Sequence, residues 1–124
     1  MRLRLTRDSV AAGDDVGAPH LSIVDLPDAS TTGDLCGWVR SARPIASVAG
    51  GSTWALRVEG RVVAVLGEGP RDFVETDPAT SLLPERRPLT AHLEYLLHDD
   101  VDTVVARVRE EPTRTDLRRL ARER

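Results

Sequence analysis

The chain has 124 residues, 40% hydrophobic and 30% charged, with a formal net charge of -3. That is the size of one compact domain, able to bury about two-thirds of its unfolded surface. The longest uninterrupted apolar run, Val62 to Leu66, is far short of the roughly 20 residues of a membrane-spanning helix.

Arg2 to Arg7 alternates, with Leu3 and Leu5 on one side and arginines on the other, the pattern of a half-buried strand. Ala12 to Pro19 is loop chemistry, since glycine, aspartate and proline each favour turns for a backbone reason. His20 to Leu26 is rich in branched residues and is closed by Pro27. It reads as a second strand, paired with the first as a hairpin across a long loop. Ser30, Thr31 or Thr32 can cap a helix that reaches about Ala42, with Asp34 in its first turn. Leu35, Trp38, Val39 and Ala42 follow helical spacing, and Pro44 lies just past the end.

Thr53 to Val58 alternates with Trp54, Leu56 and Val58 on one face, and Glu59-Gly60 then supplies a two-residue turn. Arg61 to Leu66 returns as a strand apolar on both faces, which predicts a central position in the sheet. Pro70, Pro78, Pro84 and Pro88 make a long regular element between Gly67 and Pro88 improbable. From Leu89 the residues Leu93, Leu96, Leu97, Val101, Val104, Val105 and Val108 follow i, i+3, i+4 steps. Their spacing predicts one long amphipathic helix ended by Pro112. The expected order is β-β-α-β-β-α, an α+β domain over residues 1–111 with a small antiparallel sheet covered by helices. Residues 112–124 form an arginine-rich tail, with Leu117 and Leu120 as the anchors of a further short helix.

The N-terminal Met1-Arg2-Leu3-Arg4 has no apolar stretch behind it, so no secretory signal is expected. The single cysteine, Cys36, cannot form an internal disulfide and suits a reducing compartment, so a cytoplasmic protein is expected. All 17 basic residues are arginine, and lysine, asparagine and glutamine are absent. Codon usage in a GC-rich genome accounts for that bias, which by itself points neither to nucleic acid nor to thermophily. The charges are unevenly placed. Asp8, Asp14, Asp15, Asp25, Asp28 and Asp34 precede any further arginine after Arg7. A second acidic stretch holds Glu94, Asp99, Asp100 and Asp102. An acidic face attracts a basic partner through its long-range field.

None of the chemistry-bearing fragments completes a catalytic motif. Asp14-Asp15 with His20 lacks a second ligand cluster at metal-binding spacing. His92 and His98-Asp99 lack the well-separated ligands of a metal phosphohydrolase, and on a helix the two histidines would face different ways. Gly67-Glu68-Gly69 lacks the third glycine and the helix opening of a phosphate-cradling loop. Cys36 reads as a packed small hydrophobe and Trp54 as core. The tail arginines Arg114, Arg118, Arg119, Arg122 and Arg124 could meet phosphates, yet the chain is acidic and only 3% aromatic, unlike most nucleic-acid binders.

The run Thr6-Arg7-Asp8-Ser9-Val10-Ala11-Ala12-Gly13-Asp14-Asp15-Val16-Gly17-Ala18-Pro19-His20, with Ser47 to Trp54 and the hairpin behind it, resembles small immunity proteins of bacterial polymorphic and contact-dependent inhibition toxin systems. The resemblance covers the first half of the chain, through Leu66. It implies a non-enzymatic, antitoxin-type protein without a cofactor, which binds one cognate toxin domain in the cytoplasm and blocks its active site. It carries over no set of binding residues. Charge and exposure nominate Asp14, Asp15, Asp28, Asp99, Asp100 and Asp102 as toxin-binding, with Trp38 as an anchor. Arg7, Asp8 and His20 could instead tie the first loop to the sheet through a buried ion pair. The rival readings are a small metal-dependent hydrolase or nucleotide-processing enzyme using His20, His98 and nearby aspartates, and a nucleic-acid-binding regulator acting through the arginine tail.

Overall fold

A computed structural model describes residues 1–8, 21–45, 51–69, 71–82, 89–97, 99–115 and 117. The elements are β1 (Arg2–Arg7), β2 (Leu21–Asp25), α1 (Thr32–Ala42), β3 (Thr53–Val58), β4 (Arg61–Gly67), β5 (Phe73–Glu75), β6 (Leu89–Tyr95) and α2 (Val101–Glu110). The strands form one sheet in the order β2-β1-β6-β3-β4-β5. The α+β class therefore holds, and so does the antiparallel β1–β2 pair.

The sheet is mixed, however, and not antiparallel throughout. β6 enters between β1 and β3 and runs parallel to β1, with Leu3 opposite Leu89 and Arg7 opposite Leu93. A parallel neighbour requires a long crossover, and here the crossover is most of the chain. The long helix expected from Leu89 is also overturned. Leu89, Ala91 and Leu93 are buried while Thr90 is exposed and His92 and Glu94 are half-buried, the period-2 pattern of a strand. Leu97 then adopts a positive φ of 62°, which no helix tolerates, and a new helix starts at Val101 under its own cap. The short edge strand β5 was not expected either. Arg7 corrects the reading of β1: Arg2 and Arg4 face solvent, but Arg7 shares the Leu3 and Leu5 face and is buried.

α1 lies on one face of the sheet. It contributes Leu35, Cys36 and Val39 to a core with Leu3, Leu5, Val24, Trp54, Leu56 and Leu66. Its N-terminus is fixed by a capping box, in which the Thr31 N–H donates to Asp34 Oδ2 at 2.8 Å, and by segment 77–82. There the Thr32 N–H donates to the Thr80 carbonyl and the Gly33 N–H to the Pro78 carbonyl. A Cβ at Gly33 would stand 2.8 Å from that Pro78 oxygen, so the close approach needs glycine.

α2 lies on the opposite face, where Val104, Val105 and Val108 pack with Ala55, Val62, Val65, Leu96 and Leu117. β4 is thus paired on both edges and covered on both faces, as its apolar sequence predicts. A register shift between Leu56 and Arg57 pairs Arg57 with Val62, leaving Val63 as the extra residue of a bulge. The bulge puts Val62 on the α2 face and Val63 in the α1 core. The Val62 N–H donates to the Pro112 carbonyl at 2.8 Å. Arg57 reaches the Arg114 carbonyl and pairs with Glu94 at 3.0 Å. The described part of the 112–124 segment, with buried Leu117, is therefore packed on the sheet. No described helix is long and apolar enough to cross a membrane.

Candidate functional site

α2 covers the β3–β4 side of its face, and no described helix covers the β2-β1-β6 side. The registers bring Arg2 beside Asp25, Arg4 between Ile23 and Thr90, and Thr6 between Leu21 and His92. Near the end where β1 and β6 finish together, three side chains join. Thr6 Oγ1 lies 2.7 Å from His92 Nδ1, and His92 Nε2 lies 2.7 Å from Asp8 Oδ1. The other Asp8 oxygen accepts the Tyr95 N–H at 2.9 Å. With a neutral ring, Thr6 donates to Nδ1 and the Nε2 proton is donated to Asp8, which satisfies every partner.

A hydroxyl, an imidazole and a carboxylate in a row have the connectivity of a proton relay. Here they lie along one face of the sheet, and the two cavities described below are lined by other residues. The arrangement locks the parallel pair: Thr6 and His92 sit opposite each other, and Asp8 fastens the end of β1 to the backbone of β6. Asp8 is joined to β6 through His92 and the Tyr95 N–H, a contact in which the His92 and Asp8 side chains stay partly exposed. Arg7 donates from its guanidinium to the Asp8 carbonyl at 3.0 Å, and His20 falls outside the described residues. Sequence reading placed His92 on a helix, on a different face from His98; its partner Asp8 is 84 residues away.

The nominated acidic residues divide between the two ends of the sheet. Asp28 is exposed, with Oδ1 2.9 Å from the Met1 amino group, at the end where β1 begins. Asp99, Asp100 and Asp102 lie at the other end, a strand length of roughly 20 Å away. Asp100 is the N-cap of α2 and accepts from the Thr103 N–H at 3.1 Å and its hydroxyl at 3.0 Å. Asp99 accepts the Asp100 N–H at 3.2 Å, and its carbonyl accepts the Thr53 hydroxyl. Asp102 is exposed in the first turn, where a carboxylate complements the helix dipole. Trp38 is half-buried against the α1 core, on the other side of the sheet from α2. Asp14, Asp15 and His98 fall outside the described residues.

At the start of β4, a cleft of about 230 Å³ is lined by Thr32, Val58, Arg61, Asp77, Leu82 and Leu89, among others. Its polar groups answer one another: Arg61 Nε donates to Asp77 Oδ2 at 3.0 Å, and the Thr80 hydroxyl lies 2.9 Å from both Asp77 oxygens. A second cavity, of about 160 Å³, is lined by Arg61, Val62, Thr76, Asp77, Val108, Arg109 and Pro112. Neither cavity has a cysteine or a histidine among its described lining residues. Cys36 is buried, and desolvation, helped by the Glu75 charge, pushes its thiol up to about 12; it is a core residue and stays protonated at neutral pH. Trp54 is also core, its Nε1–H donating to Ser52 Oγ at 2.9 Å and its ring 5.0 Å from that of Tyr95. Among the described residues no group of three or more His, Cys, Asp or Glu could hold a metal ion.

Compared with protein-family models, with curated proteins and with solved structures, the chain finds no match in any of the three.

Proposed function

We propose that this protein is a non-enzymatic, immunity-type inhibitor that binds one cognate toxin domain and occupies its active site. One observation carries the reading. The end of the sheet where β1 and β6 finish gathers Asp8, Asp99, Asp100 and Asp102. The described residues on either side of 9–20 (Asp8 and Leu21) and the one that follows 46–50 (Gly51) reach that same end. Those two segments hold part of the sequence that resembles immunity proteins, Asp14 and Asp15 included. A toxin that handles phosphates presents a basic active site, and carboxylates can stand in it where phosphates would. The docking surface is thus the acidic end, and Asp28 and Trp38 lie away from it.

Co-expression tests the proposal. The partner to use is the C-terminal domain of the protein encoded by the adjacent upstream gene. That domain is expected to be toxic alone, harmless with this chain, and co-purified with it in a salt-sensitive complex. Asp102→Arg, a change at an exposed position, should weaken the complex by about tenfold or more, and Asp28→Arg should leave it intact. A harmless neighbour, or toxicity that persists without co-purification, overturns the pairing.

A further inference from the structure

β2 is an edge strand whose outer side meets no other described element. It also carries the two large hydrophobic side chains exposed among the described residues, Leu21 at 45% and Ile23 at 51%. An open edge offers its unpaired backbone N–H and C=O groups as a template for strand pairing, and exposed apolar side chains on it favour association. Which backbone groups face outward follows from the neighbouring ladder. Leu26 donates its N–H to the Met1 carbonyl at 3.0 Å, and the Met1 amino group donates to the Leu26 carbonyl at 2.9 Å. Bonded pairs alternate along an antiparallel ladder, so with Leu3 opposite Val24 and Leu5 opposite Ser22 these are the next bonded pairs. Leu21, Ile23 and Asp25 therefore direct their N–H and C=O groups away from β1, and their side chains lie on the open face.

We infer that the outer edge of β2 pairs antiparallel with β2 of a second copy of this chain, about a two-fold axis at Ile23. The strand is self-complementary in that register. The outward-facing set of Leu21, Ile23 and Asp25 is symmetric about its central residue, so every outward N–H meets an outward carbonyl. Ile23 lies against Ile23 of the second copy, and Leu21 against its Asp25. The exposed leucine and isoleucine side chains of both copies merge into one apolar patch. Like charges stay apart: Asp25 faces a leucine and remains beside Arg2 of its own chain, whose Nε is 3.3 Å from Asp25 Oδ1. Arg4, beside Ile23 on β1, is kept one full strand away from the axis. A C2 contact of this type uses one patch twice and closes on itself. Any extended strand can make these backbone bonds; a second β2 also brings its own exposed Leu21 and Ile23 to the apolar patch and sets no like charges opposite each other.

Sedimentation of the full chain from micromolar to hundreds of micromolar tests this inference, together with cross-linking. The wild type is expected to reach the mass of a dimer. Ile23→Asp places two carboxylates directly opposite each other and should raise the dissociation constant by about tenfold or more. The position is exposed, so the circular dichroism spectrum should be unchanged. In a second measurement, Ile23→Cys should form an inter-chain disulfide under mild oxidation, because bonded pairs place Cα atoms about 5.5 Å apart, within disulfide range. Ser41→Cys, exposed on α1, should not, and buried Cys36 cannot contribute. A wild type that stays monomeric and an Ile23→Cys chain that cross-links no more than Ser41→Cys overturn the inference. A dimer that Ile23→Asp leaves intact overturns it as well, since the contact then lies elsewhere.

Discussion

Cys36 and Trp54 are both fully buried, yet burial has different consequences for each. In the folded chain the Cys36 thiol holds its proton up to about 12, against 9.0 for an ordinary cysteine. Between those two values the unfolded chain binds fewer protons than the folded one. Stability should therefore fall as pH rises through that window, by up to about 1.4 kcal/mol per pH unit, and be insensitive to this group below it. Urea titrations at pH 8 and pH 10 of the wild type and Cys36→Ala should show the steeper loss in the wild type. A thiol reagent at pH 8 should label Cys36 only on unfolding. Trp54 is the largest fully buried side chain, and Trp54→Ala should cost about 3–5 kcal/mol in the same titrations. Both roles were legible, because Cys36 sits beside Leu35 at helical spacing and Trp54 alternates with Leu56 and Val58. The bond between His92 and Asp8 was not legible, since nothing local in either residue names a partner so distant in the chain.

Elements were readable where sequence pattern and turn chemistry agreed. In the β3–β4 hairpin, alternation leads into Glu59 and Gly60, which adopt φ of 49° and 85°, the left-handed pair that a type I′ turn requires. Gly60→Ala should cost about 1–2 kcal/mol by chemical denaturation, because a Cβ disfavours that conformation while meeting no neighbour within 4 Å. β6 failed for a physical reason. Its buried face reads Leu89, Ala91 and Leu93, and the small alanine hid the period of two. Leu93, Leu96 and Leu97 meanwhile continued the helical spacing of the valines in α2. The dividing signal was Asp99-Asp100 ahead of Val101, an N-cap read only as charge. Asp100→Ala should therefore destabilise by about 1 kcal/mol even without any partner, whereas Asp102→Ala should cost only a few tenths. Comparing both variants for stability and for toxin binding separates capping from contact. The Val63 bulge left no trace in the sequence, since Val62 to Leu66 is apolar whichever face each residue takes.

At the scale of the whole molecule the class was legible and the wiring was not. Counting strands and helices gives α+β, but strand order depends on which edges meet, and a parallel join between β1 and β6 has no local signature. That join sets the kinetics. The joined strands β1 and β6 come from opposite ends of the described chain, so much of the core forms only after a long loop closes. Refolding should be in the millisecond-to-second range of high-contact-order proteins. Variants that weaken the local β3–β4 hairpin, such as Gly60→Ala, should chiefly slow refolding, while Leu5→Ala in β1 should chiefly speed unfolding. Stopped-flow chevrons read both rates. Equal effects of the two variants on both arms would show that the hairpin does not lead.

The pairing of Leu3 with Leu89 also governs how the protein is born. A ribosome adding about 5–20 residues per second needs on the order of ten seconds to carry synthesis from β1 to β6. Throughout that interval Leu3 and Leu5 lack the strand that will lie beside them, and a lone two-stranded hairpin is marginal in water. The β3–β4 hairpin, complete much earlier, has its turn and ladder in place while its neighbour β6 is still being translated. The nascent chain therefore exposes its N-terminal apolar residues for seconds, and that is the stage at which holdase chaperones and proteases compete for it.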